Sequence, residues 1–165
     1  RMNELQGALG LAQLRKLDTV CAEQVKNKTK IKGFLSRVKE VGLREIPDPA
    51  GDTATFLAFN LPTEELAAKF QKSLAAGGVD TVCFKANKWH YAPNWEHMMA
   101  RSTANPKQYP FTDPSYRGKV IYDRKDIPQA EDLLGRTLVM GISVKMTDER
   151  IAQIKAAVEK AAQEL

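Results

Sequence analysis

The sequence predicts an α+β domain with a long N-terminal helix and a small sheet that is covered by helices on one face. Three observations support this fold class: an amphipathic opening stretch, a strand-helix-strand pattern in the middle, and a strand followed by an amphipathic helix at the end. The 165 residues are 43% hydrophobic and 27% charged. This length and composition fit one soluble domain with its own core.

The opening stretch carries apolar residues at spacings of three, four and five, which trace one broad helical face. They are Met2, Leu5, Leu9, Ala12 and Leu17. We expect the helix to continue, bent or broken, to about Val41. No residue precedes Arg1, so the helix is predicted to be already under way there without a capping residue.

The segment 26–39 holds much of the basic charge of a chain whose net charge is +5. One reading is a patch that binds phosphates or nucleic acid. The favoured reading is a solvated helix face, because no aromatic residues alternate with the lysines as stacking platforms for bases. On that reading five apolar side chains turn inward: Val25, Ile31, Phe34, Leu35 and Val38.

The middle of the chain reads as a strand over 53–61, a helix over 62–76 and a strand over 79–85. Thr63 and the acidic Glu64 and Glu65 are typical of a helix start, and Gly77-Gly78 of a helix stop. The predicted inner face of this helix is Leu66, Phe70 and Leu74. The strand-helix-strand order predicts a crossover unit on an open sheet.

Residues 86–128 lack a long periodic segment, except for a short helix near 95–101, and such long irregular stretches are usually functional or mobile. After this segment the sequence again predicts regular secondary structure: a short helix over 130–134, a strand over 137–144 and a final helix capped by Thr147. The apolar stripe of the final helix is Ile151, Ile154, Val158, Ala161 and Leu165.

Several classes of protein are disfavoured by the sequence. No apolar run is long enough to span a membrane, and no signal peptide is evident, so we expect a cytoplasmic protein. Cys21 and Cys83 are expected to be reduced. The chain carries no Gly-rich phosphate loop and no nucleophile elbow, and its acidic residues form no sharp pair. The chain is therefore not expected to be a self-sufficient enzyme.

The segment "KANKWHYAPNWEHMM" (85–99) contains both tryptophans and both histidines of the chain. Aromatic faces, imidazoles and nearby ammonium groups suit a polar ligand with phosphate or carboxylate groups. A metal pair is disfavoured because Pro93 separates the histidines. An equally weighted alternative is that Trp89, Tyr91 and Trp95 cover the sheet edge, with the histidines at its rim.

The opening "RMNELQGALGLAQLRKLD" resembles the "R-M-x-E-x-Q-A-A-x-G-x-x-Q-L-x-K-L-D" block of the DegT/DnrJ/EryC1/StrS family. "WHYAPNWEH" resembles that family's "HYxPLH" loop, although two residues are inserted before His97. "TFLAFNL", "PTEELAAKFQKSLAAGGVDT" and "IPQAEDLLGRTLVMGISVKMTDERIAQI" resemble later family segments in the same order. The resemblance covers nearly the entire chain.

The resemblance implies a pyridoxal-phosphate (PLP)-dependent aminotransferase that transfers an amino group from an amino-acid donor to a keto sugar, either a sugar nucleotide or a keto-deoxy sugar acid. It also implies the small C-terminal domain of fold-type I PLP enzymes at 46–165. Residues 1–45 would connect it to a large domain that holds most of the PLP site. The implied substrate-binding residues are Lys88, Trp89, His90, Tyr91 and His97, and Lys85 is a further cation beside them.

In the family the Schiff-base lysine precedes the opening block, so this chain alone is expected to be inactive and to be the C-terminal part of a longer homodimeric enzyme. Two alternatives stay open. One is a PLP- or PMP-dependent sugar dehydratase of the same family, and the other is a stand-alone basic binding module. With the leading interpretation we expect no nucleic-acid or membrane partner and no metal.

Overall fold

The computed structural model describes residues 1–115 and 121–165, and it has the predicted α+β fold. Its helices are α1 (Glu4–Leu14), α2 (Leu17–Leu35), α3 (Glu64–Ala76), α4 (Glu96–Met99), α5 (Pro128–Gly135) and α6 (Asp148–Gln163). Its strands are β1 (Gly42–Leu43), β2 (Phe56–Asn60), β3 (Val82–Cys83) and β4 (Thr137–Gly141). Within the described ranges, no helix is both long enough and apolar enough to cross a bilayer.

The sheet is antiparallel throughout, with the strand order β1-β2-β4-β3. β2 and β3 both run antiparallel to β4, so they are parallel to each other. The predicted crossover through α3 is therefore present, but the last strand of the chain lies between its two strands. The strand-helix-strand pattern of β2, α3 and β3 does not predict that β4 lies between β2 and β3.

The core lies between one face of the sheet and helices α2, α3 and α6. Leu57 and Phe59 of β2 and Leu138 and Met140 of β4 alternate along their strands and are all buried. Alternation with a period of two directs these side chains to one face of the sheet. Phe59 meets Phe70 of α3 edge to face, with ring centroids 6.1 Å apart.

Helices α2, α3 and α6 leave the opposite face of the sheet uncovered, and only α5 lies at its margin among the described helices. This face bears an apolar depression of about 430 Å³ whose lining includes Phe56, Ala58, Leu133 and Val139. Phe56 is 40% exposed there although it stands only three residues from the fully buried Phe59. The alternation of β2 accounts for this contrast.

The start of α1 corrects one prediction. The helix is not already formed at Arg1, because it begins at Glu4 and is capped by Asn3. The Asn3 side chain accepts from the Gln6 backbone N–H at 2.8 Å, and the Gln6 side chain accepts from the Asn3 N–H at 3.0 Å. This reciprocal capping box is visible in the sequence as Asn-x-x-Gln. The predicted break in the long helix is confirmed, and it falls at residues 15–16.

The inward side of α2 is partly as predicted. Ile31, Leu35 and Val38 are buried and Phe34 packs against the core, but Val25 is 45% exposed, so its predicted inward position is wrong. Polar residues occupy the inward position instead, because they bond the backbone that follows β4. The Gln24 side chain donates to the Ile142 carbonyl at 2.9 Å.

Two other helices keep their predicted boundaries. Thr63 and Thr147 cap α3 and α6 with their hydroxyl groups, each accepting from the backbone N–H three residues on at 3.2 Å. The predicted stripe of α6 is buried from Ile151 to Ala161, and Leu165 packs at the core margin. In the irregular segment 86–128, the predicted short helix is confirmed as α4, and residues 116–120 lie outside the described residues.

Helix α1 is exposed along its length and provides a local test of helix propensity. Gly7 lies in its interior, and a Cβ added there meets no atom within 4 Å. We expect Gly7→Ala to stabilise α1 by about 0.5 to 1 kcal/mol through helix propensity. Amide exchange should slow in α1, while the thermal midpoint of the core stays unchanged. A shift of the global midpoint without slower exchange in α1 would contradict this.

Candidate functional site

The predicted site residues lie on a tightly bonded loop, residues 87–97, which we call the aromatic loop. It follows β3 and a single 3₁₀ turn and leads into α4. The Asn87 carboxamide oxygen accepts from the backbone N–H groups of Trp89 (2.7 Å) and His90 (2.9 Å). This Asx turn fixes the backbone that carries both side chains.

The far end of the aromatic loop is tied back to its start. The Asn94 side-chain nitrogen donates to the Lys85 carbonyl at 2.7 Å and to the Asn87 carbonyl at 3.3 Å. The Trp95 indole N–H donates to the Trp89 carbonyl at 3.2 Å. The loop is thus closed on itself by side-chain bonds rather than by strand pairing.

Four of the five predicted substrate-binding side chains lie on the surface of this loop. Lys88, Trp89, His90 and His97 are exposed, and Trp89 is 82% exposed. His90 meets Phe84 edge to face at 6.0 Å. These side chains offer an aromatic face, imidazole groups and an ammonium group to a ligand on the protein surface.

Two aromatic residues of the loop differ from Trp89 in burial. Tyr91 is only 1% exposed, and its ring lies under the guanidinium group of Arg124 at 5.8 Å. Trp95 is 36% exposed and stacks on the His97 ring, with centroids 6.4 Å apart and an interplanar angle of 12°. Tyr91 therefore packs in the interior, whereas Trp89 does not cover the sheet edge.

Lys85, the further predicted cation, is engaged by two carboxylates. Its Nζ lies 2.5 Å from Glu64 Oε2 and 3.2 Å from Glu131 Oε1. The hydrogen bond with Glu64 is the main cause that raises the pKa of Lys85 above 10.5, against the opposing effect of burial. Two negative groups hold this ammonium group beside a cavity of about 340 Å³.

Three residues that organise the loop were not among the predicted site residues: Asn87, Asn94 and Arg124. Asn87 and Asn94 belong to residue types that form Asx turns, so the sequence held a signal for them. Arg124 stands 30 residues beyond Asn94 in the irregular segment, and no local pattern links the two.

Solved structures with this fold are known. The chain superposes on an aminotransferase, TlmJ, from Streptoalloteichus hindustanus with a TM-score of 0.65 and 19% identity, covering 99% of this chain and 37% of that one. It superposes on Helicobacter pylori PseC, an aminotransferase involved in the biosynthesis of pseudoaminic acid, with a TM-score of 0.64 and 16% identity, covering 100% and 38%. The chain thus spans little more than a third of each of these proteins.

The sequence gives the family directly. The model of the DegT/DnrJ/EryC1/StrS aminotransferase family matches residues 1–113, which is most of the chain and includes the whole aromatic loop. The protein belongs to the DegT/DnrJ/EryC1/StrS aminotransferase family.

Proposed function

We propose that this chain is the sugar-facing part of a PLP-dependent aminotransferase that moves an amino group from an amino-acid donor to a keto sugar, either a sugar nucleotide or a keto-deoxy sugar acid. The observation that carries the proposal is the aromatic loop, which lies inside the family match and presents Trp89, His90 and His97 to solvent on a hydrogen-bonded backbone. Both structural neighbours are aminotransferases, which supports the same reaction class.

The exposed side chains of the loop suit a sugar chemically. An indole face packs against the C–H groups of a sugar ring, and an imidazole donates to or accepts from its hydroxyl groups. Lys88 is an exposed ammonium group suited to a phosphate or carboxylate of the same substrate. In this proposal Tyr91 supports the loop from within, because its ring is buried.

The described lysines do not fit the role of covalent PLP attachment. A lysine attached to PLP must lose its proton, and burial without a counter-charge favours that loss. The three described lysines that are not fully exposed, Lys28, Lys30 and Lys85, each form an ion pair with a carboxylate. The raised pKa of Lys85 opposes deprotonation. When bound, PLP supplies an electron sink for amino transfer, and we assign its attachment to a domain outside this chain.

The exposed face of α1 supports a larger assembly. Met2, Leu5, Leu9 and Leu14 are each at least 60% exposed. Leu5 and Leu9 lie one turn apart on the same side of α1, and exposed large apolar side chains that lie together mark a contact surface. We propose that the segment 1–45 connects the domain at 46–165 to a large PLP-binding domain through α1, while α2 and β1 of the same segment pack in the core and the sheet. We further propose that the whole enzyme is a cytoplasmic homodimer and that this chain alone does not transaminate.

The proposal is tested by measuring two half-reactions separately in the polypeptide that carries this chain together with its PLP-binding domain. The donor half transfers the amino group from the amino acid to the cofactor, and the sugar half transfers it from the cofactor to the keto sugar. We expect Trp89→Ala or His90→Ala to raise the KM for the keto sugar about tenfold, because each removes a contact worth about 1.4 kcal/mol. The donor half, followed by the visible absorbance of the cofactor without sugar, should stay unchanged.

A matched control is Tyr109→Ala, which removes another exposed aromatic side chain of the irregular segment outside the loop. It should leave both halves unchanged. Equal losses in the donor half and the sugar half after His90→Ala would overturn a sugar-facing role for the loop.

A further inference from the structure

We propose that Arg124 is a positioning residue that holds the aromatic loop in the conformation that receives the sugar, an inference that rests on the proposed function. One guanidinium nitrogen of Arg124 donates to the Pro93 carbonyl at 3.1 Å and to the Asn94 side-chain oxygen at 3.0 Å. The guanidinium carbon lies 5.8 Å over the Tyr91 ring. One side chain thus contacts three residues of the loop.

These contacts reach the exposed side chains through a chain of hydrogen bonds. Arg124 fixes the oxygen of the Asn94 amide, whose nitrogen donates to the carbonyl of Asn87. The side chain of Asn87 in turn accepts from the backbone of Trp89 and His90. Arg124 therefore orients the sugar-facing residues without touching the ligand.

Arg124 is itself held from the side of the sheet. Its second terminal nitrogen lies 3.7 Å from Glu131 Oε1 of α5, and the same oxygen is 3.2 Å from Lys85 Nζ. A planar guanidinium group stacks on an aromatic ring and donates in its own plane at the same time. A lysine ammonium group lacks this geometry, so Arg124→Lys should restore the charge but only part of the function.

The Arg124 side chain is 47% exposed, so its contribution to global stability is small. The order of the loop is the relevant quantity, and it has a spectroscopic probe. Both tryptophans of the protein, Trp89 and Trp95, lie in the aromatic loop. In a Trp89→Phe background the emission comes from Trp95 alone, which is 36% exposed.

The first experiment measures acrylamide quenching of Trp95 in this background. Arg124→Ala should raise the quenching constant about twofold. The quenching constant of Arg124→Lys should lie between that of Arg124→Ala and that of the parent. The matched control is Arg150→Ala, which also removes a guanidinium group bonded to a backbone carbonyl, that of Gly78 at 2.9 Å. The other hydrogen bond of Arg150 goes to Gln153 of the same helix, so both partners lie outside the aromatic loop. This control should leave quenching unchanged. Equal quenching in Arg124→Ala and the parent would overturn the inference.

The second experiment measures sugar use in the polypeptide with its PLP-binding domain. Arg124→Ala should raise the KM for the keto sugar about fivefold and leave the donor half unchanged, with partial rescue in Arg124→Lys. An altered quenching constant with an unaltered KM would overturn the positioning role. Failure of the unsubstituted protein to use any keto sugar would overturn the proposed function, while the quenching result would still report on Arg124 and the loop.

Discussion

Replacement of Phe59 by Ala is expected to lower the free energy of unfolding by about 3 to 5 kcal/mol. Phe59 is fully buried at the centre of the core and meets Phe70 edge to face. Removing the ring leaves a cavity between β2 and α3 that neighbours fill only in part. Since a domain of this kind is stable by about 5 to 15 kcal/mol, the loss is a large share of the total. Urea unfolding followed by far-ultraviolet circular dichroism measures it.

The matched control is Phe56→Ala, the same substitution in the same strand on the opposite face of the sheet. Phe56 is 40% exposed and contacts the cations of Lys28 and Arg44 at 5.9 and 5.4 Å from its ring centroid. Its loss should lower the free energy of unfolding by about 1 kcal/mol. Equal destabilisation by the two substitutions would contradict the assignment of the faces of β2.

Asp52→Asn is expected to lower the free energy of unfolding by about 1 to 2 kcal/mol at pH 7. Lys28 Nζ lies 2.5 Å from Asp52 Oδ2, and Asp52 Oδ1 accepts from the Ala54 backbone N–H at 2.9 Å. The value allows for the 26% exposure of the Asp52 side chain. The pair joins α2 to the segment before β2, and its loss leaves the Lys28 ammonium group buried without its partner.

The effect of Asp52→Asn should depend on pH. The hydrogen bond from Lys28, followed by that from Ala54, lowers the pKa of Asp52 below its ordinary value of 3.8. A carboxyl group whose folded pKa is lowered adds stability above its unfolded pKa and loses it as the pH falls through the folded pKa. The difference between parent and variant should therefore be full at pH 7 and shrink below about pH 3.8.

The control for this prediction is Asp80→Asn at an exposed position, which should change the free energy of unfolding by no more than about 0.5 kcal/mol. Unfolding curves collected from pH 7 to about pH 3 check both variants. A difference between Asp52→Asn and the parent that stays constant over this range would show that the carboxylate charge is not responsible.

The sequence predicted the fold where local signals and burial agree. Thr63 and Thr147 begin helices whose apolar faces are continuous, and α3 and α6 form as predicted. The insertion of β4 between β2 and β3 was not predictable, since strand order depends on packing between distant segments. The start of α1 was missed although Asn3 and Gln6 carry the signal, because the apolar periodicity extends back to Met2.

The sequence predicted which segment carries the candidate site but not which side chains contact one another there. Both tryptophans and both histidines cluster within 85–99, which predicts a site there, and Trp89 and His90 are exposed. The buried ring of Tyr91 lies beside the guanidinium group of Arg124, which comes from the other end of the irregular segment. Likewise, Lys85 is paired by carboxylates from α3 and α5, and no sequence pattern brings those helices together.

Transfer of nitrogen from donor to sugar tests the central claim most directly. The longer polypeptide that we propose carries this chain and a PLP-binding domain is incubated with a nitrogen-15-labelled amino acid and a nucleotide-linked keto sugar or a keto-deoxy sugar acid. The sugar product is then examined by mass spectrometry. We expect an amino sugar that carries the label. We expect no label in the sugar when this 165-residue chain, without the PLP-binding domain, receives the same donor and sugar together with PLP. Unchanged keto sugar, or a deoxygenated sugar without nitrogen, would contradict the assignment as a sugar aminotransferase.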